Sequence, residues 1–377
     1  MIMTRAVVLE QFGVTPAVRE LSLPAARNGD VVIACDYGGV CGTDLHLQQG
    51  HLTIPIPQVL GHEGLGRIHE LGPEARTDAN GQQLSPGDLV MWASSVSCGR
   101  CRACRVHREP TLCEARQTCG VNRSTSGTPG LFGSWADHIV VRDGTTIVKV
   151  PDAVDPIAAM SFACAGPTMV HALFDRRPVR VGEVVVVQGS GPVGLAAAAI
   201  AKCAGADKVI LVGGPSQRLK LAARAGIGDH YVNVIDRGDT ASTLDHVREL
   251  CGGGADLVIE CTGVPSAVRE GIEFARRGGS MVIVGQYTDA GDTVFNPHQI
   301  VFRQLDMYGS WAFSGAHLVE YLRLLPMLAA RFDLQSLVTL FPLEEVGNAL
   351  SAVASGTVMK AVLTCAAGPP KSHRENS

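Results

Sequence analysis

Residues 184–206 read VVVVQGSGPVGLAAAAIAKCAGA. Four valines in a row are the mark of a strand covered on both faces, and the alanine-rich segment beginning at Pro192 and Val193 has helical composition. Between them Gly189, Gly191 and Gly194 keep GxGxxG spacing. A bare GxGxxG is weak evidence, and the plain alternative is a tight strand-to-helix turn that binds nothing. A strand before the glycines and a small-residue helix after them supply the context of a dinucleotide fingerprint, with the pyrophosphate at the helix N-terminus. The fingerprint expects an acid about twenty residues on, to hold the ribose diol of NAD. The second strand ends VILVGGPSQRL, and Gly213 stands at that position. A 2′-phosphate would meet no carboxylate there, and Ser216 and Arg218 are candidate partners for it. Arg218 is equally suited to stack on adenine or to sit as a solvated charge, so the cofactor is read as NAD(P).

Outward from this stretch, the runs VILVG, DLVIEC and MVIVG alternate with helix-like segments such as SAVREGIEFARRGG. That alternation predicts a doubly wound parallel sheet. Up to about residue 150 the chain instead reads as short strands bounded by Gly, Pro or Asp: RAVVLEQFG, DVVIACDYGGV, GLGRIHELG, GDLVMW and DHIVVRDGTTIVKV. After the sheet come a helical HLVEYLRLLPMLAARF and a strand-like AVLTC, and the tail AAGPPKSHRENS is expected to be disordered.

At 377 residues the chain has room for two domains and a sizeable core. Its formal charge of -4, without a block of one sign, recruits no nucleic acid. The N-terminus lacks the apolar run of a signal peptide, and no apolar stretch is long enough to span a bilayer. The expectation is a soluble cytoplasmic protein without a membrane partner. Twelve cysteines in so long a chain point to metal binding or thiolate chemistry before disulfides.

Cys41 opens CGTDLH and His62 lies in GHEGLG. Thiolate sulfur and imidazole nitrogen suit zinc, and a catalytic site needs a third ligand with one position left open. Cys164, in FACAGPTMVHAL, is the candidate. Singly, each has an ordinary explanation as a core residue. Together, CGTDLH, GHEGLG, the four-cysteine stretch SCGRCRACRVHREPTLC, ACAG and the glycine fingerprint occur in the order and spacing of the zinc-dependent medium-chain alcohol and polyol dehydrogenases, which the chain resembles over nearly its whole length. The resemblance implies a GroES-like, mostly β catalytic domain over residues 1–165 and 309–377, with a structural-zinc lobe at about 95–120. It implies a Rossmann domain over 166–308 and a homodimer or homotetramer.

Carried over by position, the resemblance makes Cys41, His62 and Cys164 the catalytic zinc ligands and Glu63 a close-lying carboxylate that exchanges with them. Asp44 becomes the acid that orients the imidazole, its alternative being a helix cap. Thr43 and His46 become the relay that removes the alcohol proton by way of the cofactor ribose. Lys360, in GTVMKAVLTC, becomes a contact to the cofactor pyrophosphate, its alternative being a solvated lysine at a strand end. Ser94 falls at a position of the substrate pocket that is often bulkier.

Cys98, Cys101 and Cys104 follow CxxCxxC spacing, which presents three thiolates to one structural zinc, with Cys113 the fourth. Relatives leave seven residues before the fourth cysteine, whereas RVHREPTL supplies eight. Either a bulge absorbs the extra residue or Cys119 takes the place. A redox pair is the rival. Cys35, Cys203, Cys251, Cys261 and Cys365 are read as packing residues. The expected activity is hydride transfer between a secondary, polyol or cyclic alcohol and NAD(P). The alternatives are a zinc-free reductase of activated double bonds on the same fold, and a non-catalytic zinc module.

Overall fold

The computed structural model describes residues 2–122, 130–236 and 240–365, so the tail expected to be disordered lies outside the described residues. The chain packs as two compact units. One holds residues up to 152 with 314–319 and those from 338 on, and the other holds 153–313 with 320–337.

The first unit is built on a seven-stranded sheet. Strands Ile147–Lys149, Leu89–Trp92, Gly64–Leu71, Val31–Val40, Lys360–Thr364 and Val338–Pro342 lie side by side in that order, and His138–Val141 also pairs with Val31–Val40. A three-stranded sheet, Ala17–Ser22, Met3–Leu9 and Gln58–Val59, packs beside it. Apolar side chains of both, including Val7, Leu9, Ile33, Ile68, Val90 and Trp92, share one buried core with Trp135 from a connecting segment. Register sets up the site. Gly38 pairs with Gly64 and Val40 with Ala361. The chain therefore leaves the long strand at Cys41, enters its neighbour just after Glu63, and enters the other neighbour at Lys360, all at one end of the sheet.

The second unit carries a six-stranded parallel sheet. Its order is His230–Asn233, Lys208–Gly213, Val184–Gln188, Ala255–Glu260, Ala275–Ile283, Asp306–Gly309. The strand Val184–Gln188 lies between Lys208–Gly213 and Ala255–Glu260, where the winding reverses, and in such sheets the crevice beyond that strand's C-terminal end receives ligands. The doubly wound expectation is met. One boundary differs: the helix Pro265–Phe274 stops early, and ARRGG of SAVREGIEFARRGG already belongs to the strand Ala275–Ile283. Two glycines and a β-bulge beside Ala255 let the chain turn straight from helix into sheet.

Helix Pro192–Cys203 explains its own composition. Residues from Gly194 to Ala201 are buried, most of them alanine, so the helix can lie close against its neighbours. Its approach to the turn depends on Gly194, where a Cβ would stand 1.8 Å from the Gly189 carbonyl oxygen. Any other residue would push helix and turn apart. No helix among the described residues is long and apolar enough to cross a membrane.

Candidate metal centres and dinucleotide site

Cys41 caps the N-terminus of helix Gly42–Gln49, where the unpaired amides favour a thiolate. Its Sγ lies 3.2 Å from His62 Nε2. Burial pushes the Cys41 thiol up from its ordinary range, against the pull of the neighbouring imidazole. Asp44 Oδ2 accepts the Cys41 backbone N–H at 2.9 Å as part of the helix cap, and Oδ1 faces His62 Nδ1 at 3.3 Å. The imidazole thus has Asp44 on its Nδ1 side and Cys41 on its Nε2 side. Glu63 completes a group in which sulfur, nitrogen and carboxylate oxygen all lie within 4.8 Å of one another. Its Oε1 is buried, has no hydrogen-bond partner among the described residues, and stands 3.9 Å from His62 Nε2. An unsatisfied buried carboxylate oxygen beside a thiol and an imidazole is a donor set that suits a zinc ion.

The other Glu63 oxygen is occupied. Oε2 accepts from Lys360 Nζ at 2.5 Å, and the same ammonium donates to the Val40 carbonyl at 3.3 Å. Lys360 is 3% exposed, which overturns the solvated alternative. Space for this pair comes from Gly39, where a Cβ would lie 2.6 Å from Glu63 Oε2. Nothing local in the sequence announced the partnership, because its members stand 297 residues apart.

Thr43 is half-buried on the first turn of the helix, and His46 is half-buried on its last. The His46 Nδ1 atom lies 3.1 Å from Nδ1 of His51, a residue that sequence reasoning passed over. Ser94 is buried, and its carbonyl accepts the Cys119 N–H at 2.7 Å.

Cys98, Cys101, Cys104 and Cys113 bring four thiols within 4.8 Å of one another. Tetrahedral zinc with Zn–S bonds of about 2.3 Å sets its sulfurs roughly 3.8 Å apart, so the cluster fits that ion after small movements. Cys119 does not join it, being buried with its backbone tied to Ser94. The eighth residue of RVHREPTL is taken up by a widened, π-type turn at Ala103–His107, closed by Arg108 at φ 58°. A π-turn is how a helix accommodates one extra residue. Backbone amides serve the sulfurs: Cys98 N–H donates to Cys113 Sγ at 3.2 Å and Cys101 N–H to Cys98 Sγ at 3.3 Å. Donation from Arg100 and Cys101 pulls the Cys98 thiol down to about 6, while burial and the Cys101 thiol beside it push Cys104 up to about 11. None of the twelve cysteines is paired in a disulfide, and Cys35, Cys251 and Cys365 lie in the hydrophobic cores.

In the second unit, Cys164 caps helix Ala165–Val170 and is half-buried. The turn Gly189–Gly191 leads into Pro192 and Val193 at the helix start. At Gly191 an added Cβ would find only Arg218 Nη1, 3.9 Å away, so the turn is open on the side to which that guanidinium reaches. Partial burial lowers the Arg218 pKa. At Gly213 a Cβ would stand 2.9 Å from the Ser190 amide, and Ser190 Oγ donates to the Gly214 carbonyl at 2.9 Å. The position expected to hold the ribose-binding acid is thus pressed against the phosphate turn itself. Ser216 begins helix Ser216–Arg224 beside it.

Comparison with known proteins agrees over both units. Residues 27–152 match the alcohol dehydrogenase GroES-like domain and residues 192–329 the zinc-binding dehydrogenase family. The chain is 32% identical to 5-exo-hydroxycamphor dehydrogenase of Pseudomonas putida, covering 89% of this chain and 91% of that one. It is 31% identical to L-threonine 3-dehydrogenase of Anaeromyxobacter sp. (strain K), covering 91% and 93%. An alcohol dehydrogenase from Thermotoga maritima superposes with a TM-score of 0.91 at 32% identity, over 97% of this chain and all of that one. A protein from Sinorhizobium meliloti 1021, described as a zinc-binding dehydrogenase and bound to NADP, superposes with a TM-score of 0.83 at 26% identity, over 97% and 100%. With its thiol–imidazole–carboxylate group, its four-cysteine lobe and its glycine turn, the chain belongs to the zinc-binding, NAD(P)-dependent medium-chain alcohol dehydrogenase family.

Proposed function

We propose that this enzyme interconverts a secondary alcohol, open-chain or cyclic, and its carbonyl, with NAD(P) as hydride carrier and one catalytic and one structural zinc per chain. The observation that carries the reading is the buried, unpartnered Glu63 Oε1 beside Cys41 and His62. A zinc-free reductase of the same fold has no use for such a donor set, and a non-catalytic zinc module has no use for the glycine turn. The two curated relatives act, by their names, on hydroxycamphor and on L-threonine, both of which carry the hydroxyl on a secondary carbon.

When bound, zinc supplies the Lewis acidity that brings an alcohol pKa towards neutrality, and the nicotinamide supplies the hydride acceptor. The protein's own groups do the rest. Cys41, His62 and Cys164 would hold the metal, with Glu63 beside the first two exchanging as a ligand, so that one position stays open. Asp44 holds the imidazole orientation through Nδ1. Thr43 would accept the hydroxyl proton, and His46 would receive it on its way to water. Gly189, Gly191, Pro192, Val193 and Gly194 offer backbone and helix end to the pyrophosphate, Gly213 leaves room at the ribose, and Ser216 and Arg218 receive a 2′-phosphate. Lys360, which holds Glu63, would also lend its charge to the pyrophosphate. In this reading the catalytic domain comprises 1–165 and 309–377 and the nucleotide domain 166–308, in a cytoplasmic homodimer or homotetramer.

The test is absorbance of reduced cofactor across a panel of secondary alcohols, polyols and cyclic alcohols, with NAD and NADP in parallel. Turnover that disappears in Cys41→Ala, while cofactor binding persists, supports the assignment. Undiminished turnover in that variant refutes it.

A further inference from the structure

The His46–His51 contact is built by backbone. Helix Gly42–Gln49 ends with Gly50 in the left-handed region at φ 78°. The Gly50 N–H bonds to the Leu47 carbonyl at 3.1 Å, and the His51 N–H reaches back to the His46 carbonyl at 2.9 Å. These two bonds define a Schellman ending, which lays the second residue beyond the helix over the third from its end. In most such endings that contact is apolar. Here both residues are histidine, with Nδ1 atoms 3.1 Å apart and ring centroids 5.4 Å apart. His46 is half-buried and His51 exposed.

We propose that His51 is the outer member of a two-imidazole proton relay, taking from His46 the proton released by alcohol oxidation and delivering it to water. This extends the dehydrogenase reading above and rests on it. Two Nδ1 atoms at hydrogen-bond distance require that one carry a proton and the other a lone pair. For outward flow, His46 donates from Nδ1 and keeps a lone pair on Nε2. A proton then binds His46 Nε2, the His46 Nδ1–H bond breaks as His51 Nδ1 gains that proton, and the His51 Nε2–H proton passes to water. One proton moves and no electrons are exchanged, and both rings return to their first tautomers by exchange with water. Burial and the facing His51 ring both depress the His46 pKa, which keeps His46 neutral and able to accept. Among the described residues, the packed helix Val346–Ser355 carries no charge, Glu10 is engaged by Arg19, and Asp44 on the same helix is turned to Cys41 and His62.

The experiment uses the full-length, zinc-loaded enzyme and His51→Ala, with proton release in a single turnover followed by a pH indicator. A second readout, needing no turnover, is the NMR titration of the His46 ring in wild type and His51→Gln. We expect proton release to slow about a hundredfold, the low end of the range for one acid–base group, to recover with added imidazole, and the His46 midpoint to rise. A wild type that oxidises alcohol, beside a His51→Ala variant with the same release rate, overturns the relay alone. An unchanged His46 midpoint, or a slowed variant that imidazole does not rescue, also overturns it. A wild type that oxidises no alcohol refutes the dehydrogenase reading and the relay together.

Discussion

Replacing Lys360 by Met in the metal-free protein removes one half of an ion pair whose members are both 3% exposed and lie 2.5 Å apart. The Glu63 carboxylate is left buried with one oxygen already unpartnered. Breaking a buried pair from one side costs about 3–5 kcal/mol, because the remaining charge has lost its solvent and its partner. For a unit of this size each kcal/mol moves the melting temperature by about 2–4 °C, so the expected drop is roughly 6–20 °C. Calorimetry of the chelator-treated protein measures it. Two controls carry the reasoning. Adding Glu63→Leu to Lys360→Met should recover most of the loss, since a pair replaced by apolar groups of similar volume is nearly neutral. Loading zinc should also offset part of it, because the carboxylate regains a cation. A single-variant loss of under about 1 kcal/mol, the worth of an exposed pair, or a double variant no more stable than the single one, refutes the account.

Three further outcomes are expected. Cys104→Ala should release one of two zincs per chain while Cys119→Ala keeps both, as counted by mass spectrometry of the native protein; zinc loss in Cys119→Ala would contradict the Cys113 assignment. In the metal-free lobe, Cys98, lowered to about 6, is largely thiolate at pH 7, whereas Cys104, raised to about 11, is not. Iodoacetamide should therefore mark Cys98 first, and peptide mapping reads the order. Asp36 is 1% exposed, neither carboxylate oxygen is hydrogen-bonded, and burial pushes its pKa up to about 6 from 3.8. An acid whose folded pKa is raised costs stability in full above that value and nothing below its unfolded one. Asp36→Asn should thus gain roughly 3 kcal/mol over wild type at pH 8, an advantage that shrinks between pH 6 and 4; urea midpoints that differ equally at both ends would exclude that origin.

How far the sequence carried depends on how local each feature is. The glycine turn, its strand and its helix lie within 23 consecutive residues, so periodicity and the GxGxxG spacing reveal them without any tertiary information. CxxCxxC spacing by itself pointed to a thiolate cluster at Cys98, Cys101 and Cys104, whereas Cys41 and His62 were paired only through the family resemblance, and folding brings them together with Glu63. Three matters were decided only by folding. The choice of Cys113 over Cys119 turned on a π-type turn that absorbs one residue, a backbone detail with no side-chain signature. The ion pair between Lys360 and Glu63 exists because sheet register brings Val40 opposite Ala361 and Gly38 opposite Gly64. His51 meets His46 because Gly50 takes a left-handed conformation, reversing the chain over its own last turn. A sequence displays which chemical groups are available and what each segment prefers by itself. Which of those groups touch is set by register, turn geometry and burial, and these are properties of the whole packed chain.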